Sequence, residues 1–286
     1  MRVGYFIHTG NLKAGGIFTY TIGILKLLIK TDQIERIILI YSNESEVYLK
    51  SLFDSSKVEF VKINRDSGFN KFRYSIAYFL FDLFEIYSGY ISNPKKLKFL
   101  KSLSNFINPY RKIENLKFDV LHIPVQYSPI YNIDKPVLIT MHDVQEFHYP
   151  EFFSAKERLH RALNSLKSIG NADQVLVSFD HIKEDLKKIF SLEDHEVTVC
   201  PPPIASNWFV NENYTDFSIL QQKYSISKNF FLYPAAVWKH KNHKFLLKAF
   251  KTICTKVDGI ELICTGNNKT DYFNEINEVI NSLQLK

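Results

Sequence analysis

The chain has 286 residues, 45% of them hydrophobic and 23% charged, with a formal net charge of +6; that is the make-up of an ordinary globular protein with room for one large domain or one and a half. No stretch reaches the roughly 20 uninterrupted apolar residues that a membrane-spanning helix needs, and the start, MRVGYFIHTG, has no apolar leader, so a cytoplasmic protein is expected. Three cysteines, Cys200, Cys254 and Cys264, form neither a CxxC pair nor an even set and read as buried small hydrophobes.

Short apolar runs alternate with longer amphipathic ones. Strands are expected at 2–7, 36–41, 58–63, 119–124, 136–141, 174–178 and 196–200. Helices are expected at 16–30, 44–53, 69–91, 93–107, 154–170 and 179–190. The strands are rich in Val, Ile and Tyr, as buried parallel strands are. The alternation predicts right-handed βαβ units and a sheet covered on both faces. Periodicity leaves the strand order open.

The first stretch with chemical character follows the first strand: Gly10 to Ala14, then Gly15 and Gly16, leading into a helix. Glycines allow tight turns, and free amides at a helix start favour anions or hydroxyl-rich ligands. The spacing is not GxGxxG and no suitably placed acid follows, which disfavours a plain dinucleotide site. The helix expected at 69–91 carries Phe72, Tyr74, Tyr78, Phe79, Phe81, Phe84 and Tyr87. Lys95, Lys96, Lys98, Lys101, Arg111, Lys112 and Lys117 follow, against Glu114 alone. A core helix beside a solvated basic segment and a membrane-surface element are both open readings.

Thr140-Met141-His142-Asp143 ends a strand, where an open α/β sheet binds ligands. His142 and Asp143 are placed to hydrogen-bond a sugar; the plainer alternative is a turn cap and a half-buried histidine. Ser154 with Glu157 reads as a capping box. Arg158 and Arg161 share a helical face and either bind an anion or pair with acids. Pro201-Pro202-Pro203 ends the first block, and 204–228 is expected to link it to a second. There the alternation restarts, with strands at 230–233 and 260–264 and helices at 242–256 and 270–283. Two strands are few for a doubly wound domain, so the second unit reads as unfinished. Between its first strand and helix, Lys239, Lys241 and Asn242 at the helix start suit a pyrophosphate. His240 and His243 have HxxH spacing but no third ligand, so no metal is expected.

With these stretches in view, the chain resembles the glycosyltransferase family 4 group, enzymes of the two-Rossmann GT-B fold. The likeness rests on GGIFTY, TMHDVQEFHYPEFFS, VTVCPPPI and YPAAVWKHKNHKFLLKAF, which fall in the family's order over most of residues 1–266. The resemblance implies a GT-B-like α/β chain with a complete acceptor-side Rossmann-like domain at 1–203 and the first part of a donor-binding one at 229–286. It implies transfer of a mannose-like sugar, with retention, from a nucleotide-sugar donor to a saccharide or lipid-linked acceptor in cell-surface polysaccharide or lipopolysaccharide synthesis. Gly15 and Gly16 match the family's glycine loop at the inter-domain cleft, His142 its histidine near the transferred sugar, and Lys241 its pyrophosphate lysine. The family's arginine five residues before that lysine is Ala236 here, so Lys239 stands in for it. The family's later acidic motif is absent, so the expectation is a C-terminally truncated chain with little or no transferase activity. The alternative is a non-catalytic remnant that binds a sugar, a phosphorylated ligand or a partner protein. No cofactor or nucleic-acid partner is expected; peripheral contact with the inner membrane face is carried beside the enzyme reading.

Overall fold

The computed structural model describes residues 1–7, 15–41, 46–53, 55–63, 67–88, 98–203, 216–226, 229–268 and 272–285. The chain divides into two compact units, Met1–Ala205 and Ser206–Lys286.

The first unit holds strands β1 (Arg2–Ile7), β2 (Arg36–Tyr41), β3 (Val58–Lys62), β4 (Val120–Ile123), β5 (Val137–Met141), β6 (Gln174–Val177) and β7 (Val197–Val199). Its helices are α1 (Gly16–Lys30), α2 (Glu46–Leu52), α3 (Gly68–Ser88), α4 (Lys98–Ile107), α5 (Gln145–His148), α6 (Ala155–Gly170) and α7 (Asp180–Phe190). Short 3-10 turns cover Pro109–Asn115, Pro150–Phe152 and Asp194–Glu196. The strands form one seven-stranded sheet in the order β3-β2-β1-β4-β5-β6-β7. Every pairing is parallel. The order reverses between β1 and β4, the position where doubly wound sheets open a crevice at their strand ends.

The pleat sorts the core. Val3, Tyr5, Ile7, Ile37, Leu39 and Tyr41 pack with Phe18, Tyr20, Ile22, Ile24 and Leu25 of α1. The alternate residues Phe6, Ile38 and Ile40 join Leu121 and Ile123 against Tyr74 and Phe81 of α3 and Tyr110. Both faces are therefore covered, which is why these strands read as unbroken apolar runs. A third cluster, including Ile139, Met141, Val175, Val177, Ile182 and Leu186, carries the far side of the sheet. Gly23 in α1 admits Pro203: a Cβ there would sit 2.8 Å from the proline Cγ.

The expected α6 capping box is present: Ser154 accepts from the Glu157 amide and Glu157 accepts from the Ser154 amide. Lys167 of α6 ties that helix to α3 through Asp82 at 2.6 Å and lies 4.1 Å from the Tyr78 ring centroid.

The second unit contains α8 (Phe217–Tyr224), β8 (Phe230–Pro234), α9 (His243–Cys254), β9 (Glu261–Thr265) and α10 (Tyr272–Ser282), with a 3-10 turn at Lys239–Lys241. β8 and β9 pair in parallel. Val237, Leu247, Tyr272 and Ile276 form its buried cluster. The stretch 204–228, expected as a linker, contributes a helix capped by Asp216, whose carboxylate accepts from the Ser218 amide. Residues 204–215 and 227–228 lie outside the described residues. The cysteines are less buried than expected: Cys200 and Cys254 are half-buried and Cys264 is exposed, its thiol pushed up by partial burial.

Candidate functional site

In the first unit the chemistry gathers at the carboxyl ends of the central strands. Gly15 precedes α1 with φ 64°, a left-handed conformation that favours glycine. No described atom lies within 4 Å of where a Cβ on Gly15 or Gly16 would stand. The helix start carries no side-chain cap and no acid in its first turn. Gly10 to Ala14 fall outside the described residues.

One turn into α1, the buried Tyr20 ring meets the His142 ring edge-on, with centroids 4.8 Å apart. The His142 Nε2 lies 3.1 Å from the Pro124 carbonyl, which can only accept, so Nε2 carries the proton. Burial holds the His142 pKa below the ordinary histidine range, opposed by the Pro124 bond and the Asp143 charge. The ring is therefore neutral near pH 7, and its Nδ1 keeps a lone pair that can accept from a ligand hydroxyl.

Beneath it lies a second histidine that sequence reading did not single out. His122 on β4 is buried, its Nε2 3.0 Å from the Thr140 hydroxyl and its ring edge-on to Tyr5 at 5.2 Å. Burial, reinforced by His142, pushes its pKa down to about 3. The Tyr5 hydroxyl donates to the Thr21 carbonyl at 2.7 Å and so anchors α1 to β1. Among the described residues, the buried Tyr20 hydroxyl has no hydrogen bond of good geometry. Burial raises its pKa, and the neighbouring Thr140 hydroxyl partly offsets the rise. The one signal for His122 in sequence is a lone imidazole inside an otherwise apolar strand.

Asp143 and Arg161, both expected to meet a ligand, are engaged with each other at 2.9 Å. Arg161 Nε also donates to the buried Glu146 carboxylate at 2.9 Å, and its guanidinium lies 5.1 Å from the Phe153 ring centroid. Gln126 donates its amide to the Asp143 carbonyl. These contacts fasten the loop after β5 to α6. Of the two readings for Arg161, the geometry fits pairing with acids.

In the second unit the predicted cations occupy the turn between β8 and α9. The Val237 amide donates to the Asn267 carbonyl at 2.9 Å, joining the loops that follow β8 and β9. Gly266 permits this: its φ is 141°, and a Cβ there would stand 2.5 Å from the Ala235 oxygen. The Tyr233 hydroxyl donates to the Lys241 carbonyl at 2.7 Å. Asn242, at φ 52°, caps α9 without a side-chain hydrogen bond, and the first turn holds no acid.

Lys239, His240 and Lys241 are exposed. Glu275 is held below the usual carboxylate range first by a hydrogen bond from Lys244, then by the charges of Lys244 and Lys239. Among the described residues, no acid pairs with the Lys241 ammonium. His243 is buried against the Tyr233 ring at 5.1 Å while His240 is exposed, so the HxxH pair splits between core and surface. Among the described residues the His243 ring makes no hydrogen bond of good geometry, although the nearby Ala235 backbone partly offsets the lowering of its pKa by burial.

No protein-family model matches the chain. Over 149 residues it is 26% identical to the O-antigen chain mannosyltransferase RfbU of Salmonella typhimurium, a match covering 52% of this chain and 37% of that protein. Anabaena Alr3699/HepE, solved in complex with UDP-glucose, superposes with a TM-score of 0.62 at 14% identity over 100% of this chain and 67% of its own. Staphylococcus aureus MnaA, solved with UDP, gives 0.53 at 12% identity over 99% and 65%. The match thus spans little more than a third of the curated relative, and the structural likeness gives the fold: this is an α/β chain of GT-B type.

Proposed function

We propose that this chain is glycosyltransferase sequence that handles a nucleotide-sugar donor and moves a hexosyl unit, mannose-like, to a saccharide or lipid-linked acceptor in cell-surface polysaccharide synthesis. The observation that carries the reading is neutral His142, fixed by the Pro124 carbonyl and the Tyr20 ring at the carboxyl end of β5, with no partner for its Nδ1 among the described residues. A bare imidazole nitrogen accepts from a sugar hydroxyl and leaves the anomeric centre's developing positive charge unopposed by an imidazolium. The 26% identity to a mannosyltransferase and the fold of proteins solved with UDP or UDP-glucose support the same reading.

Each group has a chemical task. When the C1–O bond to the diphosphate breaks, negative charge collects on the departing oxygen, and a positioned cation lowers that barrier. Lys241 serves this task with the start of α9, whose cap residue makes no side-chain hydrogen bond, and Lys239 adds to the field. Gly15 and Gly16 offer backbone amides to sugar hydroxyls at the start of α1. Asp143 and Arg161 hold the loop that presents His142. With lysine and helix amides supplying positive charge, the reading calls for no metal.

The test is titration of the chain with a nucleotide sugar and with the matching free nucleoside diphosphate. His142→Ala weakens the sugar nucleotide about tenfold and leaves the free diphosphate unchanged, because its contact is to the sugar. Lys241→Ala weakens both about tenfold or more. Equal losses for both ligands in His142→Ala, or no loss in Lys241→Ala, would refute the assignment. On the same reading, turnover by these 286 residues alone stays below about 1 per second.

A further inference from the structure

Helix α3 carries two apolar sides. Tyr74, Ala77 and Phe81 are buried in the sheet-facing core. Phe69, Phe72, Phe79 and Ile86 recur at steps of three and seven residues on the opposite side and are exposed, Phe72 at 64%. Helix α4 repeats the pattern. Its Ser104 is buried, donating at 2.6 Å to the Ala77 carbonyl of α3. Phe99, Leu103 and Phe106 stand on its outer side, Phe106 at 69% exposure. A single exposed aromatic needs no explanation, but two ordered rows within one strand connection do.

Cations accompany the rings. Lys71, Lys98, Arg111 and Lys112 are exposed. The Arg73 guanidinium lies 5.8 Å from the Phe69 centroid, and that of Arg111 lies 5.9 Å from Phe106. Opposing acids in the described parts of this connection are Asp82, Glu85, Glu114 and Asp119, the last paired with Arg2. Asp82 is already paired with Lys167. Glu85 has its carboxyl pushed up by burial and by Asp82.

We infer that the outer sides of α3 and α4 dock this protein on an anionic lipid surface, the rings entering the bilayer interface and the adjacent lysines and arginines meeting lipid phosphates. Charge selects this occupant over a second copy of the chain. A two-fold contact sets the same patch against itself, and here that would bring the cations Lys71, Lys98, Arg111 and Lys112 of one copy up to the same cationic patch of the other. An anionic membrane supplies the missing negative charge, and a ring beside a cation matches the order of acyl boundary and headgroup. No described helix is long and apolar enough to cross a membrane, so the contact lies in the interface plane. The inference stands apart from the donor chemistry and does not require it.

Flotation with vesicles tests it without any activity readout. The full chain is mixed with phosphatidylcholine vesicles, or with vesicles in which about a quarter of the lipid is phosphatidylglycerol. At least about tenfold more protein should float with the anionic vesicles, falling to the neutral level in about 0.5 M NaCl. A Phe72→Ser, Phe79→Ser, Phe106→Ser variant should keep its melting temperature and lose at least about fivefold of the flotation. Lys98→Glu with Arg111→Glu, which leaves every ring in place, should do the same. Equal flotation on both vesicles, none on either, or undiminished flotation of the variants would overturn the proposal. So would a stable dimer in solution that the ring variant dissolves.

Discussion

Single residues decide the state of the candidate site, and His122 gives the clearest consequence. Its folded pKa lies near 3 against an ordinary 6.5. Between those values the unfolded chain binds a proton that the folded chain refuses. Acid therefore favours unfolding: the contribution is complete above about pH 6.5 and is lost as pH falls toward 3, at about 1.4 kcal/mol per pH unit. His142, also depressed by burial, acts in the same direction. Denaturant melts at about pH 7, 6 and 5 should show the wild type losing about 0.7 kcal/mol more than His122→Gln over the first pH unit and about 1.2 kcal/mol more over the second, since glutamine keeps a hydrogen-bonding group toward Thr140 but cannot titrate. Parallel curves would show that His122 does not bear this burden. The sequence points to His142 through its place at a strand end, and it could not reveal the partners that make it neutral. Pro124, Tyr20 and His122 come from other strands and helices, and only the register of β4 against β1 and β5 brings them together. For the same reason the Arg161 pairing with Asp143 and Glu146 stayed one of two options.

At the scale of elements, β1, β2 and α1 match the expected bounds residue for residue, because dense apolar runs flanked by polar residues leave few alternatives. Strand order is a long-range property, carried by crossover packing instead of local period, and it appears only in the sheet. The short α5 and the helix α8 were not legible: a single turn has no period, and α8 lies in polar, aromatic sequence that reads as a connector. The turn between β8 and α9 was legible as a cationic loop, but its brace was not. That brace is Gly266, whose Cα faces the Ala235 carbonyl so closely that a methyl group has no room. Gly266→Ala should destabilise the second unit by about 3 kcal/mol, through a φ that L-residues rarely adopt plus the contact. It should also break the Val237–Asn267 bond, so amide exchange should quicken at 235–242 while α9 remains protected. Unchanged exchange there would mean that the loop is held by something else.

Across the whole molecule, stability is unevenly distributed, and the distribution follows from how much apolar surface each unit hides. The first unit wraps helices over both faces of a seven-stranded sheet, and Tyr5, Ile37, Leu39, Leu121 and Ile139 are wholly enclosed. The second rests on two paired strands and a buried cluster of Val237, Leu247, Tyr272 and Ile276, while Phe231 and Leu232 of β8 stay exposed. Each buried aliphatic or aromatic side chain contributes on the order of 2 kcal/mol, and a two-stranded sheet has little beyond its helices to reinforce it. Opening the β8–β9 pair exposes much less apolar surface than opening β1 and its neighbours, so it should occur at lower free energy. Under native conditions the amides of β8 and β9 are expected to exchange at least about tenfold faster than those of β1, β2, β4 and β5, a gap of about 1.4 kcal/mol or more. Mass-resolved hydrogen exchange on the intact chain reads this directly. One common rate across both sheets would mean that the two units unfold as a single cooperative body; two separated rates would mean that the turn bearing Lys241 can loosen while the strand ends holding His142 stay formed.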